Sequence, residues 1–414
     1  MREHSFDLVV VGGGPAGIFA AIQFAERCPD ADIVVLEKTD RLLQKVLISG
    51  GGRCNLTHDC NDPRELINFY PRGGKSLLNI FYQFGPKDTI RWFNSYGVDF
   101  YVDNDGCYFP VTNRSQTIID VLLNLTNQLE IKTWTQAGAE KITTEKENQY
   151  CIHLSSGDQL LTPRLLMATG GNRQALKMIQ TLGEKVIPPT PSLFSFIINN
   201  NRLEGLPGLT VSPVKLSIPG SKFSQVDDLL ITHRGLSGPA AINLSAWAAQ
   251  YFYEHQYQLP LEIDWLPLLG NIEEFYGALW QYRETHSTRL VTNRCPYPQL
   301  VHRLWERLCQ STGIDENTRW ADLSKKRIRT LAQELRKGQF KIDGRNQQKQ
   351  EYVTCGGIDL KSIHLKTMQS KLFPNLFYAG EVLNIDGLTG GYNLQNCWTT
   401  GWIAGNSMPC IVEC

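Results

Sequence analysis

The strongest constraint on this chain lies in its first forty residues. Phe6–Val11 is a short apolar run that ends in glycines spaced Gly12-x-Gly14-x-x-Gly17, and Ala16–Arg27 continues with apolar residues at helical spacing. Asp32–Glu37 (DIVVLE) reads as a second apolar strand. A strand, a glycine turn, a helix and another strand within about thirty residues open a parallel, doubly wound sheet. In that setting Gly12 permits the tight turn, Gly14 lets the backbone approach a pyrophosphate, and Gly17 lets the helix pack on the sheet. The free amides of the helix N-terminus complete a phosphate site. Glu37 stands at the end of the second strand, where a carboxylate accepts hydrogen bonds from a ribose diol and repels a 2′-phosphate. The pattern predicts a dinucleotide with an unphosphorylated adenosine ribose.

Further along, residues 76–100 are expected to be helical, Thr112–Leu129 another helix, and Glu130–Trp134 a strand. Ala137–Thr143, Tyr150–Leu154 and Gln159–Thr162 resemble a β-meander, and Arg164–Ala168 a buried strand ending at Thr169-Gly170-Gly171. After residue 188 the chain becomes proline-rich, with β-like runs at Ser195–Asn199, Val214–Ile218 and Asp228–Thr232, and then a mainly helical stretch. Parallel-sheet character returns from Tyr352, with a last helix from about Asn393. These readings give an α/β chain with a discontinuous nucleotide-binding domain over 1–190 plus 346–414. A β-rich insertion covers 191–270, and a helical segment covers 271–345.

The distant C-terminal half decides between FAD and NAD. Leu376–Glu381 is an apolar strand ending in Gly380-Glu381, followed by Asp386, Gly387, Gly390 and Gly391 and then a helix. A carboxylate at such a strand end can meet a ribitol hydroxyl. The helix amides can face the pyrimidine edge of a flavin, where negative charge develops on reduction. An NAD dehydrogenase needs no second contribution of this kind. The chain contains no second GxGxxG between a strand and a helix, so NAD(P)H, if it is the electron donor, is expected as a transient co-substrate docking in the open cleft.

The fingerprint with Glu37, MATGG at 167–171 and AGE at 379–381 resemble the FAD domain of the glutathione-reductase superfamily. SGGGRCNLTH, THRGLSGPA, VTCGGID and AGEVLNIDGLTGGYNLQNCWTTGWIAG are similar to one family within it. That family is the BaiN-type flavoproteins, also known as aminoacetone-oxidase-like or NAD(P)/FAD-dependent oxidoreductases. The resemblance implies a Rossmann-like three-layer FAD-binding domain, an inserted β-barrel-like domain and a helical domain. It implies non-covalent FAD contacts at Gly12, Gly14, Pro15, Ala16, Gly17, Glu37 and Lys38. Lys45 and the run Gly50, Gly51, Gly52, Arg53, Cys54 and Asn55 join them, with Ala139 facing adenine. Thr169, Gly170, Gly380, Glu381, Asp386, Gly390, Gly391, Tyr392, Asn393 and Leu394 complete the expected set. His58 and Asn384 depart from the family's usual pattern.

No catalytic acid or base stands out. His233 and Arg234 could serve as proton donor and anion clamp, but a structural turn is the preferred reading. Tyr392 suits either the flavin's neighbourhood or a packed turn. Cys54 and Cys60 sit six apart in a loop, an unfavourable setting for a redox disulfide. Eleven scattered cysteines without a CxxC pair suggest reduced thiols, with Cys410 and Cys414 incidental, and no metal site. Neither a signal sequence nor a membrane-length apolar run is evident, so a cytoplasmic protein is expected. Lysine plus arginine equals aspartate plus glutamate at 41 each, which gives no global field favouring nucleic acid or membrane. The basic run Lys325–Lys337 carries Ile328, Leu331 and Leu335 at helical spacing, and reads as a solvated helix face. The expected function is FAD-dependent hydride transfer to or from a small organic substrate. The competing reading is a flavin-containing tRNA-modifying or RNA-binding protein.

Overall fold

The computed structural model describes residues 2–145, 149–346 and 353–410. The chain forms two compact units, residues 1–190 with 353–414 and residues 191–352.

In the first unit, a seven-stranded sheet runs in the order Ile363–His364, Gln369–Ser370, Leu376–Tyr378, Leu165–Met167, Leu8–Val11, Ile33–Leu36, Lys132–Trp134. The last five are mutually parallel. Leu8–Val11 and Ile33–Leu36 are buried at every position, as strands covered on both faces must be. The sheet joins the two ends of the chain, because Leu376–Tyr378 lies beside Leu165–Met167. Helix Pro15–Arg27 packs on the last helix, Tyr392–Ser407. A methyl group on Gly401 would lie 2.8 Å from the Ala16 carbonyl oxygen, and one on Gly405 would lie 2.5 Å from that of Ala20. Small residues four apart on both helices thus permit backbone contact.

The meander forms over Ala139–Thr144, Tyr150–Leu154 and Gln159–Thr162, and Glu3–Ser5 adds to it in parallel. The expected helix over 76–100 is two helices, Gly74–Phe81 and Pro86–Ser95, followed by the strand Phe100–Val102. Gly85-Pro86 breaks it, since proline offers no N–H and belongs at a helix start. Val353–Ile358 stays out of the parallel sheet and pairs with Val186–Ser192.

The second unit holds an antiparallel seven-stranded sheet, ordered Gly338–Ile342, Leu259–Asp264, Thr210–Ser217, Ser224–Thr232, Gly235–Ser237, Phe196–Ile197, Gly344–Arg345. Its two edge strands are separated in sequence only by Asp343, so the sheet curls until its edges meet, as in a barrel. Residue 346 belongs here rather than with the nucleotide-binding part, and 344–345 form a strand rather than the end of a helical segment. Gly344–Arg345 pairs with Phe196–Ile197, and the Asn346 amide donates to the Ser195 carbonyl. The stretch expected to be helical ends early, because GQFKI over 338–342 alternates buried and exposed and forms a strand.

The expectation of wholly reduced thiols is overturned by a disulfide between Cys28 and Cys410. Cys28 caps the N-terminal helix, and packing of the first helix on the last brings Cys410 to it. The sequence separation of 382 hid the pair. Cys410 is therefore not incidental, whereas Cys414 lies outside the described residues. Among the described residues no helix is long and apolar enough to cross a membrane.

Candidate functional site

The first glycine loop separates residues the fold needs from one it does not. Gly12 has φ +119°, and a methyl group there would lie 2.3 Å from the Ala168 carbonyl oxygen. One on Gly17 would lie 2.1 Å from the Gly12 carbonyl oxygen. Both glycines are fixed by packing. Gly14 has φ −83°, open to any residue, and a methyl group there would meet nothing within 4 Å. Gly14 caps the helix without a side chain, Pro15 opens it, and Ala16 follows, buried. The open space before these amides suits the pyrophosphate of FAD.

Glu37 follows the second strand and is held by the loop it faces. One oxygen accepts from the Gly13 amide at 3.0 Å, and the other from the amide and hydroxyl of Thr39, each at 2.9 Å. A carboxylate has about four acceptor positions, so capacity remains for a ribose hydroxyl. The Ala137 amide donates to the Glu37 carbonyl, which draws the start of the meander alongside. Exposed Lys38 and half-buried Ala139 therefore lie close to Glu37, and a methyl group on Gly138 would be 3.5 Å from the Lys38 Cβ.

Lys45, on the short helix Gln44–Ile48, forms an ion pair with Glu381, which is 7% exposed. Partial burial works against the lysine's charge, but the adjacent carboxylate outweighs it and holds Lys45 above its ordinary value. A methyl group on Gly170 would lie 3.7 Å from both the Glu381 Oε2 and the Lys45 Nζ. Beside it, the Thr169 hydroxyl is buried without a hydrogen-bond partner. Gly380 sits against the first helix, where its added methyl would be 2.8 Å from the Ala16 Cβ. Segments distant in sequence converge at one place, around a polar atom the protein leaves unused.

The loop after Lys45 runs beside the start of the last helix. Gly50, Gly51 and Gly52 all adopt left-handed φ, at 56°, 68° and 86°. Arg53 does not point freely toward a ligand: its guanidinium lies 4.1 Å over the Phe109 ring and 3.9 Å from the Asp103 carboxylate. Cys54 is fully buried, and burial pushes its thiol up to about 12, with the Ser49 hydrogen bond opposing. Cys54 and Cys60 are both free thiols. Asn55 spans the loop and the C-terminal segment, its nitrogen donating to the Thr57 carbonyl at 3.1 Å and its oxygen accepting from the Gly391 amide at 3.2 Å in the orientation that satisfies both. His58 lies 3.1 Å from the Gly390 carbonyl through Nδ1, and its ring is 4.7 Å from that of Tyr392.

Tyr392 is a packed residue: it is buried, stacks on Phe69 at 4.6 Å, and its carbonyl accepts from the Tyr70 hydroxyl at 2.7 Å. Asp386 is wholly buried and paired with Arg72, a residue the sequence reading missed because PRGG resembles no motif. The Asn393 side chain is committed to Gly387, accepting from its amide and donating to its carbonyl, both at 2.9 Å. With Leu394 also buried, this segment offers backbone amides at a helix start rather than free side chains. His233 and Arg234 form an exposed hairpin turn in the second unit, in line with the structural reading.

Fold and family together define the class, a Rossmann-type FAD-dependent oxidoreductase. The chain belongs to the family described as HI0933-like protein Rossmann domain, whose profile matches residues 6–407. It is 24% identical to a 3-dehydro-bile acid delta(4,6)-reductase of Clostridium scindens, over 96% of this chain and 98% of the relative. It is 27% identical to a ribosomal RNA dihydrouridine synthase of Haemophilus influenzae, over 99% of both chains. Among solved structures, 3-ketosteroid delta1-dehydrogenase from Sterolibacterium denitrificans shares the fold, with a TM-score of 0.53 at 10% identity, covering 98% of this chain and 99% of that one.

Proposed function

We propose that the first unit binds FAD and that the protein reduces a carbon–carbon double bond conjugated to a carbonyl. Support for the chemistry comes from what the two named relatives have in common. A Δ4,6 double-bond system beside a 3-keto group and the 5,6 bond of uracil beside its 4-carbonyl are both conjugated acceptors, and each name denotes saturation. Bound FAD would supply the two-electron centre for hydride transfer. In this reading the amides after Gly14 hold the pyrophosphate, Glu37 and Lys38 face the ribose, and Ala139 lies by the adenine. Lys45, Thr169, Gly170 and Glu381 line the path between nucleotide and ring. The helix start at Tyr392–Leu394 presents partial positive charge to the ring edge where electrons accumulate.

The observation that carries FAD binding is Gly14, whose missing side chain serves no packing purpose. The test is purification, an absorption spectrum, and anaerobic addition of NADH and of NADPH. A flavin spectrum bleached by one nicotinamide and recovered on adding a conjugated enone or a uridine-containing RNA is expected. No flavin band, even after reconstitution with FAD, would end the proposal. Bleaching that no conjugated acceptor reverses would leave an FAD protein but refute the reaction.

A further inference from the structure

Helix Lys325–Lys337 in the second unit buries Ile328, Leu331, Ala332 and Leu335 and turns its other side outward. That outer side borders a groove of about 790 Å³ lined by Arg202, Lys325, Lys326, Arg329 and Lys337, with Glu334 the one carboxylate. Glu334 is neutralised by its ion pair with Arg202. Among the described residues no carboxylate lies within ion-pair distance of Lys325, Lys326, Arg329 or Lys337. In a chain of formal net charge zero, this is a concentrated positive stripe.

The helix bears its cations where they are unfavourable. Lys325, Lys326 and Arg327 fill the first turn, which contains no acidic residue, and positive charge at a helix N-terminus costs roughly 0.3–1 kcal/mol per site. Helix Ile272–Thr285 in the same unit follows the stabilising rule, with Glu273 and Glu274 in its first turn. Helix Lys325–Lys337 thus keeps a charge pattern that its own stability disfavours. Two aromatic rings lie beneath the cations: Arg329 is 5.1 Å from the Tyr276 ring and Lys325 is 5.6 Å from the Trp280 ring. No aliphatic side chain lines the groove, so it offers nothing to insert into a lipid layer.

We infer that this groove is a binding surface for a strand of RNA. The four cations without a carboxylate partner meet successive phosphates, with Arg329 held over the half-buried Tyr276 ring and Lys325 over Trp280. The solvated face expected of Lys325–Lys337 is the basic side opposite the buried stripe, and the RNA strand is placed along that face.

Binding of a fluorescently labelled single-stranded oligouridylate to the holoprotein tests this without requiring turnover, so the result stands apart from the flavin chemistry. With four phosphate contacts, affinity should fall about fifty-fold between about 50 and 200 mM salt. Charge reversal in K326E/R329E should cost about tenfold or more in affinity, with the flavin spectrum and thermal melting unchanged. The neutral pair K325Q/K326Q relieves the unfavourable first turn, and should bind RNA more weakly while melting no lower than the parent. RNA binding that is salt-insensitive, or equally strong in both variants, would overturn the inference. So would binding of phosphatidylcholine–phosphatidylglycerol vesicles with no binding of RNA.

Discussion

Gly12 and Gly14 differ in what a methyl group would meet, and that difference yields a clean test at single residues. Gly12→Ala forces a side chain into a positive-φ position and onto the Ala168 carbonyl, so a loss of about 3 kcal/mol or more in stability is expected. Gly14→Ala enters open space at an ordinary φ. Alanine is a poorer N-cap than glycine but restricts the unfolded chain, two opposed effects of about 1 kcal/mol each. Urea melts should therefore show near-parental stability for Gly14→Ala, while its FAD dissociation constant rises at least about tenfold, or about 1.4 kcal/mol. Unchanged FAD affinity would place the pyrophosphate elsewhere. The roles of Gly12 and Gly17 were legible in the sequence, because their spacing encodes the turn and the close helix. Commitments such as Arg53 to Phe109, Asp386 to Arg72 and Asn393 to Gly387 were not, because each partner comes from a segment that only the fold brings near.

Among the elements, the loop from Gly50 to His58 and the start of the last helix behave as one piece. Asn55 holds the Gly391 amide, the Trp398 indole donates to the Leu56 carbonyl at 3.0 Å, and His58 meets the Gly390 carbonyl. Burial lowers His58 below its ordinary 6.5, with the Gly390 carbonyl opposing the shift. Just below pH 6.5 the unfolded chain takes up a proton that the folded chain refuses. His58 therefore makes stability fall as pH drops from 6.5 toward the folded value, and its contribution levels off above 6.5. Urea unfolding at about pH 7.5 and pH 5.5 should show a larger acid loss in the parent than in His58→Gln, which keeps a hydrogen-bond donor but cannot titrate. Equal losses would show that His58 is not held neutral by its surroundings. Element identity was mostly readable from periodicity. The errors fell where apolar spacing carried across a breaker, at Gly85-Pro86, or where a five-residue alternation was absorbed into a helical stretch, at Gly338–Ile342.

Across the whole molecule, the chain's ends build one sheet and one helix pair, with a curled antiparallel sheet inserted between them in sequence. The discontinuity was readable because strand–glycine–helix patterns recur at both ends. The fastening of those ends was not, since it depends on the first helix lying against the last. Two arginines and one disulfide make that fastening. Arg27 donates to the Gly405 and Met408 carbonyls at 3.1 and 3.0 Å, and buried Arg164 donates to those of Pro409 and Cys410, both at 2.6 Å. Cys28–Cys410 then closes a loop of nearly the full chain. Cross-links of long loops typically contribute about 2–4 kcal/mol, mainly by restricting the unfolded state. Cys28→Ser should therefore lower the melting temperature by about 5–10 °C, and dithiothreitol should lower the parent's by the same amount while leaving the variant's unchanged. FAD affinity should survive in both, because the bond lies at the C-terminal end of the first helix and the phosphate amides lie at its N-terminal end. If reduction leaves melting unaltered, the arginine–carbonyl bonds alone hold the last segment in place, and the disulfide contributes nothing to the folded unit's stability.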